Sequence, residues 1–420
     1  MLLRTLLVLW CTLVCCQVSR SADWPAFRGP QHNGVSPEDR APTTWSASEN
    51  VVWKASLPRP GNGSPVVAAG HVFVTSAEDD AGHERSLYCL GRKTGTIQWV
   101  KTVSREQELP THKTNPYCGT TPVVSDGKVI VWHGSSGLYC YDFQGNTLWS
   151  RDFGEFRHIW GYGSSPIVHR GRVILHTGPG RQVFVIAMDL KDGRTIWKDE
   201  EPVDGDGSRN AKGEFRGSWS TPIVAQVDGQ DQLIVAHATR LKAYDPETGE
   251  TIWTCQGLAH SRGDLAYSSP TLVGNLCFMT GGYQGPMMAV KLGGQGDVSE
   301  THRLWRTEKQ PQSIGSPIAA GGMIYRANAG PGTIQCIDPQ DGSIRWTNRA
   351  AGGNHWSSIV RVRDHLYATN QQGVTVIFRS DPSKYQKIAE NRLDDETNAT
   401  PAISDGQLFF RTAKYLWCIQ

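Results

Sequence analysis

"DPETGETIW", residues 245–253, reads as a turn running straight into a buried aromatic. Aspartate can bond the turn's own backbone, glycine accepts positive φ, and the turn closes onto a strand ending in Trp253. Four near-copies stand elsewhere: "GRKTGTIQW" (91–99), "YDFQGNTLW" (141–149), "DLKDGRTIW" (189–197) and "DPQDGSIRW" (338–346). One small unit is therefore repeated along the chain.

Each copy follows a Ser-Pro or Thr-Pro and a short apolar strand. The starts are "SPVV" (64), "TPVV" (121), "SPIV" (165), "TPIV" (221), "SPTL" (269), "SPIA" (316), "SSIV" (357) and "TPAI" (400). Their spacing runs from 41 residues (316 to 357) to 57 (64 to 121), the period of a propeller blade. Proline is tolerated where an inner strand begins. A Gly turn, a β-branched strand, a third strand such as "LYCYD" and the D-x-x-x-G turn into a Trp strand complete four strands. Trp99, Trp149, Trp197, Trp253, Trp305 and Trp346 fall at one structural position of the repeat.

The eighth unit stops at "YLWCIQ" without its Trp strand, while "ENVVWKASL" (49–57) supplies Trp53 before the first unit. The fold expected is all-β: an eight-bladed β-propeller of four-stranded antiparallel blades over residues 49–420. The N-terminal strand completes the last blade, which removes the open sheet edge. Unit seven lacks the Trp and places Ile388 there, and unit five stretches its turn to "LGGQGDVSETHRLW".

Residues 1–21 read as a signal peptide, with a basic start, an apolar stretch too short to span a bilayer, and a polar exit. Residues 22–48 form a leader. The expected location is periplasmic or secreted, with Cys15 or Cys16 a poor lipidation site. Lys/Arg number 42 against 40 Asp/Glu, so no field favours nucleic acid. The seven cysteines after the signal include four in one repeated slot (Cys89, Cys140, Cys336, Cys418). They read as small core residues, and no structural disulfide is expected.

The tandem units, with their "SPxV…G-x-V…D-x-x-x-G-x-x-x-W" pattern, resemble the pyrroloquinoline-quinone-like repeat over nearly all of residues 50–420. The resemblance has two branches. One, similar to the outer-membrane β-barrel assembly lipoprotein B, implies a non-enzymatic propeller that binds partners. The other, similar to quinoprotein alcohol dehydrogenases, implies pyrroloquinoline quinone (PQQ) with calcium. The adjacent Cys pair that many of those enzymes carry beside the quinone is found here only as Cys15-Cys16, inside the signal.

In a propeller, the connections entering each inner strand converge at one mouth of the channel. Here they carry Tyr117, Arg157, His158, Trp160, Tyr162, Arg216, Trp219, Arg262, His355 and Trp356, with His112 and the catalytic candidates Asp264 and His260. Arginines fork onto carboxylate or phosphate, aromatics stack on planar rings or sugar faces, and Asp264 beside His260 suits a general base. The same residues also suit a plug packed into the channel. No His-x-His or Cys-x-x-Cys spacing supports a metal. The primary expectation is a monomeric, non-catalytic propeller without a cofactor, binding an envelope protein or saccharide ligand. The alternative is a quinoprotein-type dehydrogenase oxidising an alcohol, sugar or polymer.

Overall fold

The computed structural model describes residues 22–180, 182–201 and 215–420. The signal peptide, with Cys15 and Cys16, and most of the polar run at 200–214 lie outside the described residues. Eight antiparallel sheets are arranged with their first strands innermost. Blades one to seven span 66–104, 123–151, 167–200, 223–256, 271–306, 318–348 and 360–392. Blade eight takes three strands from 402–419 and its outer strand, Val51–Ser56, from the other end of the chain. Trp53 stands opposite Cys418 in that closing pair.

The repeated Trp has a partner in the next blade. Trp53, Trp99, Trp149, Trp197 and Trp305 donate their indole N–H to backbone carbonyls of the following blade's turn, at 2.7–3.1 Å. Each ring also lies on that turn's glycine: Gly95, Gly145, Gly193, Gly249 and Gly342. All five glycines have positive φ, which a side chain would strain. The turn and the Trp are thus two halves of one joint between neighbours.

A β-bulge aims the indole. In every blade the pairing of third and fourth strands slips by one residue just before the Trp position. The extra residue bends the strand and increases its local twist. Across the pair, the residue opposite Trp is Cys or Ala: Cys89, Cys140, Cys336 and Cys418, or Ala187, Ala243 and Ala289. The repeated cysteine slot is therefore a small-residue slot beside an indole. The described cysteines are all buried thiols.

Two departures from the repeat follow from this joint. In blade eight the third and outer strands come from distant parts of the chain, with no turn joining them, so blade seven has no turn glycine to dock on. Register there places Ala389 in the Trp position opposite Ile377, and Ile388 is the bulge residue, a correction to the placement read from sequence. Blade five's stretched turn likewise offers Trp253 no glycine. Trp253 instead donates to Gln232 in its own blade at 2.9 Å. The stretched segment adds Gly296–Asp297 in parallel along blade four's outer strand, with Gly296 opposite Trp253.

The core lies in slabs between neighbouring blades, such as Ile130, Leu138, Val173 and Leu175 between two and three. The leader belongs to the channel. Trp24 exchanges backbone hydrogen bonds with Val67 of blade one, and Pro25 accepts from Val124 of blade two. The chain then crosses to the far side, where Arg28, wholly buried, donates to Pro317 O of blade six. Val35–Ser36 finally pairs in parallel with blade seven's inner strand.

Candidate functional site

The residue two positions before each inner strand builds a ring. Ser64, Thr121, Ser165 and Thr221 each donate the backbone N–H to the hydroxyl of the counterpart in the next blade, at 3.0–3.1 Å. Ser269, Ser316 and Ser358 continue at 2.9–3.0 Å, and Thr400 N–H to Ser64 Oγ closes the circle at 3.0 Å. All eight are buried. The Ser/Thr-Pro signature thus supplies the hydroxyl that receives the preceding blade's N–H, and the proline after it has no donor to satisfy. Sequence reasoning noticed the proline and missed the hydroxyl. Its recurrence in all eight units, including "SSIV" without proline, was the available signal.

All eight hydroxyls line a cavity of about 570 Å³ at the channel mouth, with Phe27 of the leader also in its lining. One wall is aromatic. Trp160 leads into blade three, Phe215 and Trp219 into blade four, and Tyr267 into blade five. Ring centroids lie 4.8 Å apart for Trp160–Phe215, 5.9 Å for Trp160–Trp219 and 5.4 Å for Trp219–Tyr267. The wall is fastened from behind. Arg216–Ser218 pairs in parallel with Asp264–Ala266, and Trp219 donates N–H to Ala266 O and Nε1–H to Gly161 O. His158 stands edge-on to Trp219 at 5.0 Å. Burial pushes its pKa down to about 4, so it is a neutral support at pH 7.

The other wall is neutral and polar. Asn62 donates to Thr114 O at 2.9 Å and to Asn115 Oδ1 at 3.0 Å, and Asn398 donates to Thr114 O at 3.0 Å. These residues precede blades one, two and eight, so amides face the aromatics across the channel. Trp356 and Gln312 also line the cavity.

Of the sequence candidates, Trp160, Trp219, Arg262 and Trp356 line this cavity, as does His112. The others pack elsewhere. Tyr117 and Tyr162 are buried under the Arg85 guanidinium, 4.8 and 5.6 Å from the ring centroids. Arg157 turns to Glu155 at 2.7 Å. His355 is wholly buried, and burial pushes its pKa down to about 4. Asp264 accepts from the His260 backbone N–H at 3.2 Å and lies 3.5 Å from Arg216 Nε. Asp264, His260 and Arg216 therefore hold the loops behind the aromatic wall. Side-chain direction decided these positions, and loop sequence carries little of it.

Among the described residues the cavity lining contains no Asp, Glu, Lys or Cys, and no group of His, Cys, Asp or Glu could hold a metal ion. Calcium beside a quinone calls for carboxylate oxygens, and the described cysteines, six in strands and Cys118 in the loop before blade two, are all buried and none is adjacent to another. The lining thus does not fit PQQ with calcium. Hydrogen bonding, stacking and apolar contact remain as what the arrangement can do.

A family model described as "Outer membrane protein assembly factor BamB" matches residues 43–116 and 83–348. Tetrathionate hydrolase of Acidithiobacillus ferrooxidans is 24% identical over 251 residues, 57% of this chain and 45% of that protein. The chain spans less than half the length of the curated relatives it matches. Among solved structures, BamB from Moraxella catarrhalis superposes with a TM-score of 0.61 at 15% identity, covering 88% of this chain and 99% of that one. Quinohemoprotein alcohol dehydrogenase from Comamonas testosteroni gives 0.64 at 12% identity, covering 94% and 80%. Both likenesses speak to the fold alone. With eight blades of this repeat and a family match over most of its length, the chain belongs to the outer membrane protein assembly factor BamB family.

Proposed function

We propose that this chain is an exported, non-catalytic propeller that binds a cell-envelope partner or ligand through its channel-mouth cavity, with no resident cofactor. One observation carries the reading: a cavity within the usual size range for ligand sites, lined by aromatics, hydroxyls and amides, with Arg262 and His112 as its basic side chains and no carboxylate. Membership in a family named for outer membrane protein assembly supports an envelope partner. Export rests on the sequence of residues 1–21. Among the described residues no helix is long and apolar enough to cross a membrane.

Capture from envelope extracts tests it, using the protein and a Trp160→Ala/Trp356→Ala variant that keeps its melting temperature. A partner or ligand retained by the first and lost by the second is expected; identical sets would sink the proposal. Likeness to a quinohemoprotein dehydrogenase motivates a second arm, adding PQQ and calcium and following absorbance and dye reduction. No bound chromophore is expected there.

A further inference from the structure

We infer that the cavity recognises an uncharged saccharide, an inference that rests on reading it as a binding site. A sugar ring has an apolar C–H face and an edge of hydroxyls that both donate and accept. The cavity is divided in the same way. Its wall before blades three to five is a continuous aromatic surface of Trp160, Phe215, Trp219 and Tyr267. Its wall before blades eight, one and two is made of amides, Asn398, Asn62 and Asn115.

Between them stand the eight ring hydroxyls. Each accepts a backbone N–H, and among the described residues none has an acceptor for its own proton. These are eight buried donors without protein partners beside one cavity. The cavity reaches these residues, so a ligand rich in oxygen acceptors suits their protons. The Gln312 side chain and the Trp356 indole N–H likewise have no protein partner among the described residues, and both line the cavity.

Charge excludes the main competitors. An anionic ligand calls for converging cations, and the lining offers Arg262, which is exposed, and His112. A quaternary ammonium would suit the aromatics, but the lining carries no acid to balance it and Arg262 would oppose it. A neutral, amphipathic, oxygen-rich ring satisfies aromatic wall, amide wall and hydroxyl ring together.

The test uses the full chain and three uncharged trisaccharides, cellotriose, maltotriose and triacetylchitotriose, followed by tryptophan fluorescence and calorimetry. Benzoate and tetramethylammonium serve as charged probes of similar apolar character. Saturable binding of at least one trisaccharide is expected, weakened roughly tenfold by Trp356→Ala or Gln312→Ala and unchanged by Lys93→Ala on an outer turn, where tenfold corresponds to 1.4 kcal/mol. Binding of benzoate or tetramethylammonium with no sugar response would overturn the saccharide assignment while leaving the cavity a binding site. Silence from every small probe, with envelope capture still dependent on Trp356, would overturn it in favour of a protein partner. Sugar binding indifferent to both substitutions would place the ligand elsewhere and overturn it as well.

Discussion

Trp149 of blade two lies against Gly193 of blade three so closely that a Cβ on the glycine would meet the indole at 2.6 Å, and the same indole donates to Leu190 O at 3.1 Å. One side chain thereby bridges two sheets that share no strand. The relation recurs from Trp53 on Gly95 to Trp305 on Gly342.

A matched pair of glycines separates backbone strain from this docking. Gly193 and Gly127 share φ of +72°, but nothing lies within 4 Å of a Cβ at Gly127. Gly127→Ala should cost about 1–3 kcal/mol through its left-handed backbone alone. Gly193→Ala should cost a further 1–3 kcal/mol or so from overpacking. Urea midpoints measure both, and equal losses would mean that the indole is not tightly seated.

Ser269→Ala removes the hydroxyl that receives the Thr221 N–H at 3.1 Å. The stranded amide should cost about 1–3 kcal/mol, while Ser269→Thr, which keeps the hydroxyl, should cost less. Hydrogen exchange gives a local readout: the Thr221 amide should lose protection in the alanine variant before its neighbours do.

Trp253 is wholly buried and docks within its own blade. Trp253→Ala should cost roughly 3–5 kcal/mol and leave affinity at the channel mouth intact in the folded protein. A large affinity loss at an unchanged melting temperature would contradict that separation.

Acid should unfold the ring through its histidines. Burial pushes His133 down to about 3 and His158, His176 and His355 down to about 4. Their folded values lie below the unfolded value near 6.5, so between these limits the unfolded chain binds more protons. Stability is therefore full above pH 6.5 and falls as pH drops toward 4, by up to about 1.4 kcal/mol per pH unit for each such histidine. Melting temperatures from pH 7 to 4.5 should trace that decline, and His355→Gln should make it shallower.

The eightfold architecture was legible because most blades repeat the same local demands: a proline-tolerant strand start, a positive-φ glycine and a large aromatic. The joint between blades was not. A bulge leaves no mark in composition, and the reason for cysteine or alanine opposite Trp appears only when Cys140 is seen across from Trp149. The leader's path was equally hidden, since Arg28 finds Pro317 and Val35 finds Arg361 without periodicity to announce them. At the mouth, the loops before the inner strands do supply part of the cavity lining. Trp160, Trp219, Arg262 and Trp356 reach the cavity, whereas Tyr117 and Tyr162 are drawn behind it by Arg85, a residue from a strand that no loop reading would consult.

Closure of blade eight orders events during biosynthesis. Val51–Ser56 is synthesised before blades one to seven, and its partner Tyr415–Ile419 after them. Until then the nascent chain has an unsatisfied strand at its head and an incomplete circle behind it, a state open to mispairing with other chains.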